Sequence, residues 1–170
     1  MDRDGVINES MVRDGKPYPP DSLEKFQLLP DVNVAIGGLH DAGFKLIVVT
    51  NQPDVRTGKR KQSIVEDMHQ KLLQILPIDD IRVCYHIDED ECACRKPKPG
   101  MLLDAAKQWD IDIAASFMVG DRWRDIEAGN VAGCRTIFID YGYSEKQPEQ
   151  PDHIVSSLAD AVPFILQSRT

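Results

Sequence analysis

Long apolar runs are missing from this chain of 170 residues, and none approaches the ~20 residues that a membrane-spanning helix needs. It opens on Met1-Asp2-Arg3-Asp4, charged where a secretory signal requires an apolar core. The expected location is the cytoplasm, with no membrane partner. A basic excess is also lacking: 20 Lys and Arg face 28 Asp and Glu, a net charge of −8, which repels nucleic acid. The densest basic run, Lys59-Arg60-Lys61, reads as a solvated helix end. Repeats, low-complexity tracts and long linkers are absent, which excludes collagen-like, coiled-coil and disordered classes. Cysteines number four, too few for a disulfide framework in a reducing compartment.

What is present is 42% apolar residues with 11 Gly and 11 Pro, enough for the core of a single domain over residues 1–170. Residues 44–49 form a β-branched, nearly continuous apolar run, as a strand buried on both faces should. Residues 81–85, 117–119, 136–139 and 153–155 are shorter strands of the same kind. Between them lie helical patterns over residues 31–42, 62–76, 101–109, 123–132 and 158–166, with Gly43 and Gly133 at two helix ends. Residues 16–20 and 145–151 read as loops. This alternation predicts an α/β fold, a Rossmann-like three-layer sandwich with a mostly parallel central sheet. Such sheets bind ligands beyond the carboxyl ends of their strands.

The polar groups at those ends are Thr50, Asp121 and, at the N-terminus, Asp2 and Asp4; Lys96 stands further along. Carboxylates two residues apart suit attack on phosphorus and protonation of the leaving oxygen, while a third can hold Mg²⁺. A lysine and a hydroxyl suit the equatorial oxygens of a transferring phosphoryl group. Separately, Cys84-x-His86 and Cys92-x-Cys94 supply three thiolates and an imidazole, a closed tetrahedral set for structural Zn²⁺ that would staple residues 87–91. Cys134 follows Gly133 and reads as a buried hydrophobe.

Four segments in order, Asp2-Arg3-Asp4-Gly5-Val6-Ile7-Asn8, Val49-Thr50-Asn51-Gln52, Arg95-Lys96-Pro97 and Val119-Gly120-Asp121-Arg122-Trp123-Arg124-Asp125, resemble the motifs of the haloacid dehalogenase superfamily of phosphatases. Within it the chain is similar to the heptose bisphosphate and histidinol phosphate phosphatase group. The resemblance implies that Asp2 is the nucleophile forming an aspartyl phosphate and Asp4 the general acid and base. It implies Mg²⁺ held by Asp2, the Asp4 carbonyl and Asp121, with Thr50 and Lys96 on the phosphoryl group. Asn51, Gln52, Arg95 and Arg122 would contact substrate. The implied substrate is a small phosphorylated sugar, a heptose 1,7-bisphosphate losing its 7-phosphate, with histidinol phosphate the alternative.

Family members with a cap insert it after the first motif or between the second and third, but here Asp4 to Thr50 and Thr50 to Lys96 each span 46 positions, which helix and strand already fill, so a capless protein with an open site is expected; a monomer is expected as well. Residues 9–20, 53–59 and the zinc loop would shape that site. The family also sets a buried strand of about five apolar residues before the nucleophile, whereas here Met1 alone precedes Asp2. The first core strand is therefore expected to lie outside this sequence. A non-catalytic, zinc-stapled, phosphatase-like binding domain is the alternative of another class.

Overall fold

The computed structural model describes residues 1–168. An antiparallel hairpin, β1 (Met11–Arg13) and β2 (Lys16–Tyr18), precedes helix α1 (Val32–Asp41). Strand β3 (Ile47–Asn51), the short helix α2 (Pro53–Arg56), helix α3 (Gln62–Ile75) and strand β4 (Asp80–Cys84) follow. After a turn of 3₁₀ helix at Asp88–Asp90 come α4 (Gly100–Trp109), β5 (Phe117–Gly120), α5 (Trp123–Ala132), β6 (Arg135–Ile139), β7 (His153–Val155) and α6 (Leu158–Gln167). Within the described residues no helix is long and apolar enough to cross a membrane.

The parallel sheet is built in two pieces, β3–β4 and β5–β6–β7. Met1 and Asp2 bridge them. The Met1 ammonium donates to Ile47 O (2.9 Å), Val49 N–H donates to Met1 O (2.9 Å), and Asp2 N–H donates to Val119 O (2.8 Å). Two residues thus occupy the place of a central strand. Beside them a cavity of about 780 Å³ runs between the pieces, lined by Leu46, Ile47, Val49, Phe117, Val119 and Trp109.

Side chains alternate across the sheet as the period of two requires. Leu46 and Val48 of one face join Ile36 and Leu39 of α1, Met68 and Leu72 of α3, and Leu158 and Ile165 of α6. Ile47 and Val49 of the other face pack with Met101 and Leu102 of α4 and Ala128 of α5. Helices therefore cover both faces, as the sequence pattern predicts.

Several boundaries differ from expectation. The run over residues 44–49 enters the ladder only at Ile47, which pairs with Asp80; before that, Leu46 N–H donates to the Asp79 carboxylate (2.8 Å). Residues 16–20 are not simply a loop, because Asp14 and Gly15 both adopt positive φ, the turn geometry that closes a two-residue hairpin. Part of the expected loop over residues 53–59 is helical, with Pro53 at its start. Cys134 is half-buried against the α4–α5 core.

Candidate active site

The sequence brings its acidic groups together by ending strands at them. Asp2 follows the bridge between the sheet pieces, Thr50 lies near the end of β3, and Asp121 comes directly after β5. Asp2, Asp121 and Asp125 each offer a carboxylate oxygen within 4.8 Å of the others, and all three are buried. Gly5 makes this approach possible. Its φ is 79°, and a Cβ there would lie 1.9 Å from Asp121 Oδ2.

Lys96 neutralises part of this cluster from inside. Its ammonium donates to Val49 O (2.7 Å) and pairs with Asp125 Oδ1 (2.6 Å) and Asp2 Oδ1 (2.8 Å). Burial disfavours its charge, but Asp125 and Asp2 together push its pKa above the ordinary lysine range. Asp2 is raised to about 6 by burial and the Asp125 charge, with Lys96 opposing. Asp121 is raised well above the usual carboxylate range by burial and the charges of Asp125 and Asp2. Both Asp121 oxygens are buried without a hydrogen-bond partner among the described residues. Three converging carboxylates, with both Asp121 oxygens orphaned, are the donor set of a hard divalent cation, so the residues present fit Mg²⁺.

Asp4 differs from its neighbours. Burial works to raise its pKa, yet Arg3 and the hydrogen bonds from Asn8, Arg3 and Gln52 hold it below the ordinary range. A cleft of about 70 Å³ is lined by Asp2, Asp4, Lys96, Asp121, Arg122 and Arg124, among others. It is far smaller than the cavity between the sheet pieces, yet it is where the titratable groups converge.

Other expected site residues stand around this cleft in different ways. Thr50 and Gln52 are buried behind it, Gln52 Nε2 donating to Asp4 Oδ2 (2.8 Å) and Thr50 Oγ1 (2.9 Å). Asn51 clasps the Lys96 backbone, its Nδ2 donating to Lys96 O (3.0 Å) while Lys96 N–H donates to its Oδ1 (3.1 Å). Arg122 reaches the cleft and is paired with Glu145. Arg95 turns away, its Nε donating to Asp88 Oδ1 (2.7 Å), and the cleft lining holds Arg124 in its stead. Arg124 bonds the same Asp88 (3.2 Å to Oδ2) and lies over the Trp123 ring.

The sequence reading gave Asp125 no role beyond its place in the fourth motif segment. It does cap α5, accepting from Arg122 N–H (3.1 Å), but its other oxygen holds Lys96. The signal was its place in the first turn of α5, four residues after Asp121, which puts both carboxylates at the carboxyl end of β5. Arg124 is absent from the expected substrate contacts because nothing in a linear sequence says which side of α5 faces the strand ends.

Cys84, His86, Cys92 and Cys94 converge as predicted, their ligating atoms within 4.8 Å of one another. Cys94 Sγ lies 3.0 Å from Cys84 Sγ and 3.4 Å from Cys92 Sγ, and His86 Nδ1 is 3.3 Å from Cys94 Sγ. Four soft donors in one small volume could hold a metal ion. The cluster is tied to the cleft through the backbone, since Gln52 N–H donates to Cys84 O (2.7 Å) and Lys96 follows Cys94 by two residues.

Comparison with known proteins agrees with this geometry. Residues 93–161 match the model of the HAD-hydrolase-like family. The D-glycero-beta-D-manno-heptose-1,7-bisphosphate 7-phosphatase of Rhodopseudomonas palustris is 37% identical over 145 residues, 78% of this chain and 77% of that protein. The enzyme of that name from Haemophilus ducreyi is 32% identical across 97% of this chain and 96% of its own. Among solved structures, the D,D-heptose 1,7-bisphosphate phosphatase of B. bronchiseptica, complexed with magnesium and phosphate, superposes with a TM-score of 0.82 at 32% identity, covering 98% of this chain and 96% of that one. Motif order, sheet topology and relatives converge, and the chain belongs to the haloacid dehalogenase-like hydrolase family.

Proposed function

We propose that this protein is a Mg²⁺-dependent phosphatase that removes the 7-phosphate of a D-glycero-D-manno-heptose 1,7-bisphosphate, working without a cap domain. The observation that carries the reading is the packing of Asp2, Asp121 and Asp125 around buried Lys96, with both Asp121 oxygens unpartnered among the described residues. Such a charge cluster costs stability in an apo protein and is hard to account for without a cation and an anion to complete it. The relatives' names supply the sugar.

In this reading an Asp2 carboxylate oxygen bonds to phosphorus while the bond from phosphorus to the sugar oxygen breaks. That oxygen's electron pair takes a proton from Asp4, which Arg3 holds ionised in the free protein and which would gain that proton as the anionic phosphate arrives beside it. In the second half a water gives its proton to Asp4, and its oxygen displaces the Asp2 carboxylate, which releases inorganic phosphate. Lys96 neutralises the equatorial oxygens from behind Asp2, and the Thr50 hydroxyl backs the same group. Asp2, Asp121 and the Asp4 carbonyl would hold Mg²⁺, which when bound neutralises phosphate charge and aligns it for in-line attack. Arg122 and Arg124 at the mouth suit a second anionic or hydroxyl-rich part of the substrate.

The Cys84, His86, Cys92 and Cys94 cluster is proposed to hold structural Zn²⁺. Its four donors form a closed shell, so its role would be to fix the loop that delivers Lys96.

Phosphate release from the heptose bisphosphate with and without added Mg²⁺ tests the reading. Expected is Mg²⁺-dependent turnover with kcat/KM at least about tenfold above that for histidinol phosphate. Asp2→Asn should lose at least about 10⁴-fold in turnover while it folds normally, since it removes one of three mutually repelling carboxylates. Turnover without Mg²⁺, or retained by Asp2→Asn, would overturn the assignment.

A further inference from the structure

Arg3 stands between the two carboxylates of the first motif and is fully buried, with 0% of its surface exposed. An unpaired guanidinium could not stay there, and its partners are specific. Nε and Nη2 donate to Asp4 Oδ1 (3.2 and 3.0 Å), and Nη2 also reaches Oδ2 (2.9 Å). Nη1 lies 3.0 Å from His69 Nε2, on the buried face of α3. The guanidinium also packs beside the Phe26 ring, 5.7 Å from its centroid.

A guanidinium only donates, so His69 Nε2 must be the unprotonated nitrogen and His69 a neutral acceptor. Burial, followed by the Arg3 charge, lowers its pKa to about 4, which agrees with that role. The imidazole thus fixes the far edge of the fork while the near edge grips Asp4. Asn8 Nδ2 (2.9 Å to Oδ1) and Gln52 Nε2 (2.8 Å to Oδ2) complete the grip. A buried ion pair is seldom worth more to stability than packed apolar side chains, so this pair is better explained by the position it imposes.

On these grounds, and resting on the reading of Asp4 as the proton donor, we infer that Arg3 and His69 are a positioning pair that aims the Asp4 carboxyl at the leaving oxygen. The acid step depends on them, and attack by Asp2 does not. Proton donation matters most when the leaving oxygen is a poor leaving group. An alkoxide cannot depart without a proton, whereas a dinitrophenolate can.

The test is kcat/KM for Arg3→Lys, His69→Leu and His69→Gln on a series running from dinitrophenyl phosphate through phenyl phosphate to the sugar phosphate, beside Asp4→Asn as reference. Expected for Arg3→Lys is a loss of about 10²-fold or more on the sugar phosphate and less than about threefold on the dinitrophenyl ester. His69→Leu should give the same tilt at smaller amplitude, and His69→Gln, which keeps an acceptor, should restore most of it. Losses equal along the series would mean a merely structural role and overturn the inference, as would no loss. Should Arg3→Lys not fold, the two His69 variants decide. If Asp4→Asn is steep and the pair's variants are flat, this inference alone fails; if Asp4→Asn is itself flat, the reading of Asp4 falls and the inference with it.

Discussion

Gly5 is where a single methyl group meets the metal-binding geometry. A Cβ would sit 1.9 Å from Asp121 Oδ2, and φ of 79° is itself strained for alanine. Gly5→Ala should therefore displace Asp121 and raise the Mg²⁺ concentration for half-maximal activity at least about tenfold, a loss of ~1.4 kcal/mol in cation binding. A Mg²⁺ titration of phosphatase activity checks this, and an unchanged midpoint would contradict it. At this scale Asp2, Asp4, Lys96 and Asp121 were legible because motif spacing and position at strand ends identify them together. Arg3 was not, since a charged residue beside two aspartates reads as solvated until α3 is seen to carry His69 against it. Arg95 and Arg124 exchanged places for a similar reason: both are bound to Asp88, and only the folded loop shows which one borders the cleft.

Among the elements, the segment from Cys84 to Gly100 does most to connect structure with chemistry. Gly100 begins α4 where a Cβ would lie 2.3 Å from Ala93 O, so helix and Cys-rich loop are pressed together at the backbone. Loss of the proposed zinc should loosen that contact and, with it, Lys96. Cys92→Ser is expected to purify with less than half the zinc of the parent and to melt at least about 5 °C lower. Metal analysis and a thermal melt decide it, and full zinc content or an unchanged Tm would refute the staple. The helices and strands that pack on both faces were legible in their periodicity. The β1–β2 hairpin was not, although Asp14-Gly15 between two three-residue strands carries the signal, because neither strand has an alternating apolar pattern.

For the molecule as a whole, the seam between β3 and β5 is the place where the sheet is thinnest. Met1 and Asp2 hold it by three backbone bonds beside a cavity of about 780 Å³, with a terminal ammonium buried inside. Fusing about five alternating β-branched apolar residues ahead of Met1 turns the ammonium into a peptide N–H and lays a strand in the cavity. Expected is a higher Tm in thermal melts; an unchanged Tm would show that the cavity does not accept a strand. The same seam joins folding to chemistry in a way that separate core and site would not. Asp2 is at once the residue whose N–H ties β5 to the rest of the sheet and the one whose carboxylate is proposed to attack phosphorus. Local opening between the half-sheets would therefore reach Asp2 directly, and a phosphate held by Lys96 from one half and by the proposed Asp121 site from the other would act as a rivet across the opening.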